Sequence, residues 1–369
     1  MRKHSKGQIF IGPFPGPITG QTKATELLFD ILTKECGCKL IKRDTVRGET
    51  KYSIYNNLVK LKKLLMNVAF LLFRGNSAGR VVYLSLDANK GLYLSLLYCI
   101  AAVLKKKELI LHHHTYGHIG GKSMAMLLIN WLAGNNAIHL CICDKMGRDL
   151  SQQYPGVKYR TLNNAFLLRR GKLSEKKYVQ SQITIGYLSR ITPEKGADLV
   201  IDAACQLKKN FDGEVKVVLA GPVPDADYYK RLLRRCEGVV QVVGTGMIKG
   251  DEIDRFYESI DYFLFPTRYE NETQGIVNIE ALSHGVPSVA FARCCIQSDI
   301  GDGGLAVGLS QDFSSQAAGA IAQYHVNSGS YLEIRKKAIM QFDIIYSRSL
   351  DELKLLAIAL NGLDNSKIR

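Results

Sequence analysis

Glu272, Glu280, Arg190 and Lys195 are the side chains whose types and spacing could do chemistry in this sequence of 369 residues. Arg190 and Lys195 lie at opposite ends of one strand-to-helix loop, suited to gripping two phosphates with a bidentate fork and a point charge. The glutamates stand in the stretch from Pro266 to Pro287, PTRYENETQGIVNIEALSHGVP. Glu272 shares a polar loop with Glu270, and Glu280 falls roughly two turns into the helix that follows. Free amide hydrogens and the positive end of a helix dipole make such a turn attractive to phosphate. A strand-loop-helix with two glutamates is also common in α/β proteins, and a lysine in a turn is often simply solvated. On the residues alone both readings stand.

These positions need a parallel sheet behind them. Tyr262 to Phe265 is an apolar run that reads as a buried parallel strand. Ile276, Ile279, Ala281, Leu282 and Val286 supply the apolar positions of the next helix, which Gly285-Val286-Pro287 stops. A loop at the carboxyl end of a strand, entering a helix, is where an open α/β sheet binds ligands. The layout recurs: Ile183 to Leu188 before Pro193-Glu194-Lys195-Gly196, Val215 to Ala220 before Gly221-Pro222, and Val239 to Val243 before Gly244-Thr245-Gly246. Near the start, Gln8 to Ile11 is followed by GPFPGPITGQT and a helical segment from Thr22 to Thr33. There Gly16 and Gly20 would let backbone approach a ligand, although the Gly-Lys-Ser/Thr ending of a Walker loop is missing. Leu109 to His112 makes a strand that leads into HHHTYGH. His112 and His114 share one face and His113 takes the other. No carboxylate or cysteine sits at ligand spacing nearby, so no metal is expected there.

Glu272-x-x-Gly275, then Glu280-Ala281-Leu282 and Gly285-Val286-Pro287, resembles the signature of family 4 retaining glycosyltransferases of the GT-B fold. The resemblance implies two doubly wound Rossmann-like α/β domains facing a cleft, the first for the acceptor and the second for a nucleotide sugar. It implies that Glu272 faces the donor sugar and that Glu280 holds the ribose hydroxyls. Arg190 and Lys195 match the family's second signature and would stabilise the departing diphosphate, together with amides of Gln274, Gly275 and Ile276. Backbone at Gly244 and Thr245 would meet the nucleotide base. The loop from Gly16 to Gly20 would lie under the diphosphate, and His114 would sit close to the donor sugar as a catalytic residue. The family needs no metal or other cofactor, since protein cations replace it. The implied domains are 1–166 for the acceptor side, 167–349 for the donor, and a helix at 350–369 crossing back onto the first. A nucleotide-sugar epimerase of the same fold and a non-catalytic partner subunit are the alternatives. The wording of the first loop also resembles bacterial transferases that assemble surface polysaccharide, O-antigen or capsule, on a lipid carrier.

The chain is long enough for two ordinary domains. Nine cysteines make no metal spacing, and with no secretory segment they fit a reducing cytoplasm. A net charge of +15 means attraction to polyanions. No aromatic-basic nucleic-acid motif accompanies it, so an anionic membrane surface is the expected partner, met from the inner face of the cell membrane. Tyr55 to Phe73 reads as an interfacial helix, with Lys60, Lys62 and Lys63 on its polar face and Leu58, Leu61, Leu65, Val68 and Leu72 on the other. Lys105, Lys106 and Lys107 are expected to extend that basic face. The sequence leaves the oligomeric state open.

Overall fold

Unbroken apolar runs, the mark of strands covered on both faces, build two parallel sheets. In a computed structural model that describes residues 6–15, 20–46, 53–171 and 178–361, the chain divides into two units. One holds residues up to Leu167 together with those from Arg348 on, and the other Leu168–Ser347.

The first unit has strands β1 (Gln8–Gly12), β2 (Leu40–Asp44), β3 (Val81–Ser85), β4 (Glu108–His112), β5 (Ala137–Cys141) and β6 (Tyr159–Thr161). Their order is β2-β1-β3-β4-β5-β6, all parallel. Between them run α1 (Gly20–Lys34), α2 (Ser53–Ala69), α3 (Leu92–Leu104), α4 (Gly117–Gly120), α5 (Met124–Ala133) and α6 (Asp144–Gln153). Crossovers in a parallel sheet are right-handed, so α2, α3 and α5 share one face of the sheet, and α3 packs against both neighbours. On the other side, stacked Phe10 and Tyr83 rings, 4.1 Å apart, join a core with Leu28, Leu32, Leu353, Leu356 and Leu360. The carboxylate of Glu352 ties this packing to the sheet edge, accepting from the Asn163 amide at 2.8 Å and from the Thr161 hydroxyl.

The second unit has β7 (Gln182–Leu188), β8 (Glu214–Ala220), β9 (Gln241–Gly246), β10 (Tyr262–Phe265), β11 (Ser288–Phe291) and β12 (Gly304–Val307), ordered β12-β11-β10-β7-β8-β9. Its helices are α7 (Ala197–Lys209), α8 (Ala226–Arg235), α9 (Asp251–Ser259), α10 (Ile276–Ser283), α11 (Ile296–Ile300), α12 (Phe313–Tyr324) and the part of α13 (Ser328–Leu360) up to Ser347, the remainder belonging to the first unit. The strand order reverses between β7 and β10, which pair directly. An open sheet binds ligands at that reversal, at the carboxyl ends of the strands.

The structure corrects four expectations. Helix α2 exposes Leu58, Leu61 and Leu65, as an interfacial helix would, and buries Leu64 and Asn67, but most of its lysine face is not free. The reason is electrostatic. Lys60 pairs with Asp87 at 3.1 Å and Lys63 with Asp44 at 2.6 Å, which draws the supposed polar face onto the domain. Lys107 likewise belongs to no basic surface, since its buried ammonium donates to the carbonyls of Gly75 (2.7 Å) and Gly79 (2.6 Å). Gly244-Thr245-Gly246 is strand and not the loop after it, because Gly244 and Gly246 pair with Leu219 and Ala220 of β8 across a register shift. Finally, the helix expected at 350–369 does not stand alone: it is the last part of one long helix, α13, which no glycine or proline interrupts between 331 and 360. Among the described residues, no helix is long and apolar enough to cross a membrane.

Candidate functional site

The loops after β7 and β10 meet at the reversal point of the second sheet. After β7, a single turn over Pro193–Lys195 ends in Gly196, whose φ of +78° only glycine adopts cheaply. A Cβ there would stand 2.1 Å from the carbonyl oxygen of Pro266, so the two loops touch backbone to backbone. Arg268 locks them: its amide donates to Glu194 O at 2.7 Å, and its guanidinium forks onto both oxygens of Asp198 at 2.9 Å each. The hydrogen bonds to Asp198 hold the Arg268 guanidinium's pKa above its ordinary value. With the loops so fixed, the Lys195 ammonium donates to the Glu272 carboxylate at 2.5 Å and lies 4.7 Å from the centre of the Tyr269 ring. Both side chains of that ion pair are mostly covered, 14% and 17% exposed.

Gly275 turns the chain into α10 through a left-handed conformation, φ +59°. A Cβ there would meet Phe265 at 2.6 Å and Asn278 at 2.9 Å. Asn278 in turn bridges the carbonyl of Gly275 and the hydroxyl of Ser288 on β11, fixing the helix start over the sheet. The result is a cavity of about 330 Å³ lined by Arg190, Lys195, Glu272, Gly275, Ile276 and the end of β8 at Gly221-Pro222. Arg190 is exposed at its edge. A cationic pair, a carboxylate and the positive end of a helix face one space of ligand size. Such a space can hold a dianionic diphosphate with a polar group beside it.

The other expected residues lie as follows. Gln274 is buried just before Gly275. Glu280 accepts from the Tyr257 hydroxyl at 3.2 Å and is not among the residues lining the cavity. Gly244 and Thr245 lie on β9 outside the lining, while Met247 and Ile248, two residues further, enter it. Gly16 lies outside the described residues. Gly20 opens α1 and faces open space; the close approach of that turn falls instead at Gly12, where a Cβ would meet Thr25 at 2.8 Å. Sequence reasoning missed Arg268, Asp198 and Tyr269. Asp198 carries the only available signal, a carboxylate in the first turn of α7.

His114 belongs to the first unit, after β4, its ring 4.0 Å from that of His112. Burial pushes it down to about 4, so it is neutral near pH 7. His113 points the other way and bridges His118 (2.7 Å) and His139 (2.9 Å) in a buried row of imidazoles. Burial lowers His118 to about 4 and His139 to about 3. The unfolded chain takes up these protons near pH 6.5, so below that pH it binds more protons than the fold and stability falls. Urea unfolding of the first unit should show its midpoint constant from pH 8 to about 6.5 and dropping steeply towards about 4. A flat midpoint across that window would mean the imidazoles are solvated.

Comparison with known proteins gives the same picture for the second unit. Residues 171–339 match the family described as "Glycosyl transferases group 1". An alpha-monoglucosyldiacylglycerol synthase of Streptococcus pneumoniae is 33% identical over 119 residues, 32% of this chain and 26% of that protein. A GDP-mannose-dependent alpha-(1-6)-phosphatidylinositol monomannoside mannosyltransferase of Mycobacterium tuberculosis is 29% identical over 126 residues, 33% of this chain and 32% of that one. The chain thus matches no more than about a third of the length of these relatives. The crystal structure of Anabaena HepE in complex with UDP superposes with a TM-score of 0.65, at 15% identity, over 94% of this chain and 99% of that one.

Proposed function

Residues 171–339 form a glycosyl transferases group 1 domain in a chain of GT-B fold, and on that premise we propose that the protein moves a sugar from a nucleotide diphosphate to a hydroxyl of a lipid-linked glycan, with retention. The observation that carries this reading is the cavity where Arg190, Lys195, Glu272 and the start of α10 converge. The acceptor oxygen bonds to the anomeric carbon as the bond to the diphosphate breaks, and the acceptor proton passes to the departing phosphate oxygen. Negative charge grows on that phosphate, where Lys195, Arg190 and the amides at Gly275 and Ile276 stabilise it. Positive charge grows on the sugar, where Glu272 stands. Chain cations take the place of a divalent metal. Two relatives named for diacylglycerol and phosphatidylinositol acceptors support a lipid-linked acceptor, as in assembly of bacterial surface polysaccharide or lipopolysaccharide. A peripheral place on the cytoplasmic membrane face follows from such an acceptor. Intact charges around one cavity speak against a non-catalytic subunit.

A thermal-shift series with UDP and GDP in chelator tests the donor site. At about a hundred times Kd, a nucleotide should raise the stability of the fold by about 2.7 kcal/mol. Stabilisation that appears only with magnesium or manganese would overturn the metal-free reading, and none with either nucleotide would overturn the donor site.

A further inference from the structure

The first unit presents apolar side chains to solvent on the outer sides of three adjacent helices. On α2 the exposed stripe is Leu58, Leu61 and Leu65; on α3 it is Tyr93, Leu97 and Leu104. On α5 it is Met124, Leu128 and Trp131, the last 79% exposed. Their spacings are three, four or seven residues, so each helix buries one face on the sheet and turns a second apolar face outwards. Because α3 packs between α2 and α5, the stripes adjoin. Soluble monomers rarely expose contiguous apolar surface on this scale.

Charge says what covers it. Between Ser53 and Cys143 there are ten lysines and arginines and only two acidic residues, Asp87 and Glu108. Both acids are neutralised within the unit, Asp87 by Lys60 and Glu108 by Arg80. Lys62 lies on α2 among the exposed leucines, Lys106 stands two residues after the end of α3 and Lys122 two before the start of α5, all exposed. Apolar stripes with aromatic side chains and a rim of unpaired cations suit the boundary between acyl chains and anionic headgroups.

We propose that the outer face of α2, α3 and α5 docks on an anionic lipid bilayer, with leucines and Trp131 inserted and Lys62, Lys106 and Lys122 at headgroup level. This deepens the proposed function by giving the first unit its lipid-side partner, and it makes no use of the donor cavity. Trp131 is the only tryptophan of the chain, so its fluorescence reports the face directly. With the full-length protein and vesicles of phosphatidylglycerol and phosphatidylcholine, the emission should shift to the blue and be quenched by brominated acyl chains. Binding should persist in part at about 1 M salt, where the Debye length is about 3 Å. Leu61→Ser, Leu104→Ser and Leu128→Ser together should reduce the floated fraction about tenfold or more through lost insertion, while the nucleotide-induced thermal shift stays unchanged. Lys62→Glu with Lys122→Glu should weaken flotation at low salt only. Equal flotation of the serine variant, or no spectral shift of Trp131, would overturn the proposal. So would a wild-type dimer that the serine variant dissociates without any vesicle binding, since the face would then belong to a second copy. A lost thermal shift with intact flotation would instead strike the donor reading alone.

Discussion

Lys195→Ala should lower sugar transfer by roughly a hundredfold to a thousandfold, the usual effect of removing one preorganised charge from a developing anion. The lysine directly precedes Gly196, in the turn that the Arg268 fork fixes against the Pro266 loop, and the centre of the Tyr269 ring lies 4.7 Å from its ammonium. Glu272→Gln should lower turnover to a similar degree but act differently on the ground state. The amide no longer neutralises Lys195, so UDP or GDP should bind at least as tightly as to wild type while kcat falls. Lys195→Ala should weaken both. Steady-state kinetics with nucleotide titrations separate the two variants. Near-wild-type turnover of either would remove that residue from the site.

Gly196→Ala should be the most damaging change that touches no charge. The left-handed backbone costs an ordinary residue about 1–2 kcal/mol. Beyond that, the new methyl meets the Pro266 carbonyl oxygen at 2.1 Å, a backbone atom that cannot rotate away. The loops after β7 and β10 must then part, carrying Lys195 from Glu272. Gly238 supplies the control: its φ is +73° and nothing lies within 4 Å of a Cβ there. Gly238→Ala should show the backbone cost alone in urea unfolding and keep nucleotide binding. Gly196→Ala should lose more stability than that and most of its nucleotide affinity. Equal effects of the two substitutions would mean that the contact between the loops does not hold the site.

What was legible in the sequence follows from what physics writes locally. Ile183–Leu188, Val215–Ala220 and Tyr262–Phe265 read as strands because a sheet covered on both faces needs no polar alternation. Gly196 and Gly275 read as turns for the same local reason, and each has positive φ. The encounter of Lys195 with Glu272 was not legible from pattern alone, since 77 residues separate them and it depends on Arg268 reaching Asp198. The helical period of α2 was legible but the pairing of its lysines was not, because the partners Asp44 and Asp87 lie outside the helix. The extent of β9 was hidden because glycines read as loop, whereas here they pair across a bulge.

The ion pair between Lys195 and Glu272 gives the proposed cycle a symmetry. An empty site with a bare ammonium would hold any passing phosphate and release spent nucleotide slowly. Here the ammonium already has a resident counter-ion 2.5 Å away, so arrival of the donor is an exchange of one anion for another. Departure of the nucleotide is the reverse exchange, with the carboxylate waiting to take back its partner. Part of the attraction for the diphosphate is forgone at entry and returned at exit. That favours turnover over retention wherever release of the nucleotide limits the rate.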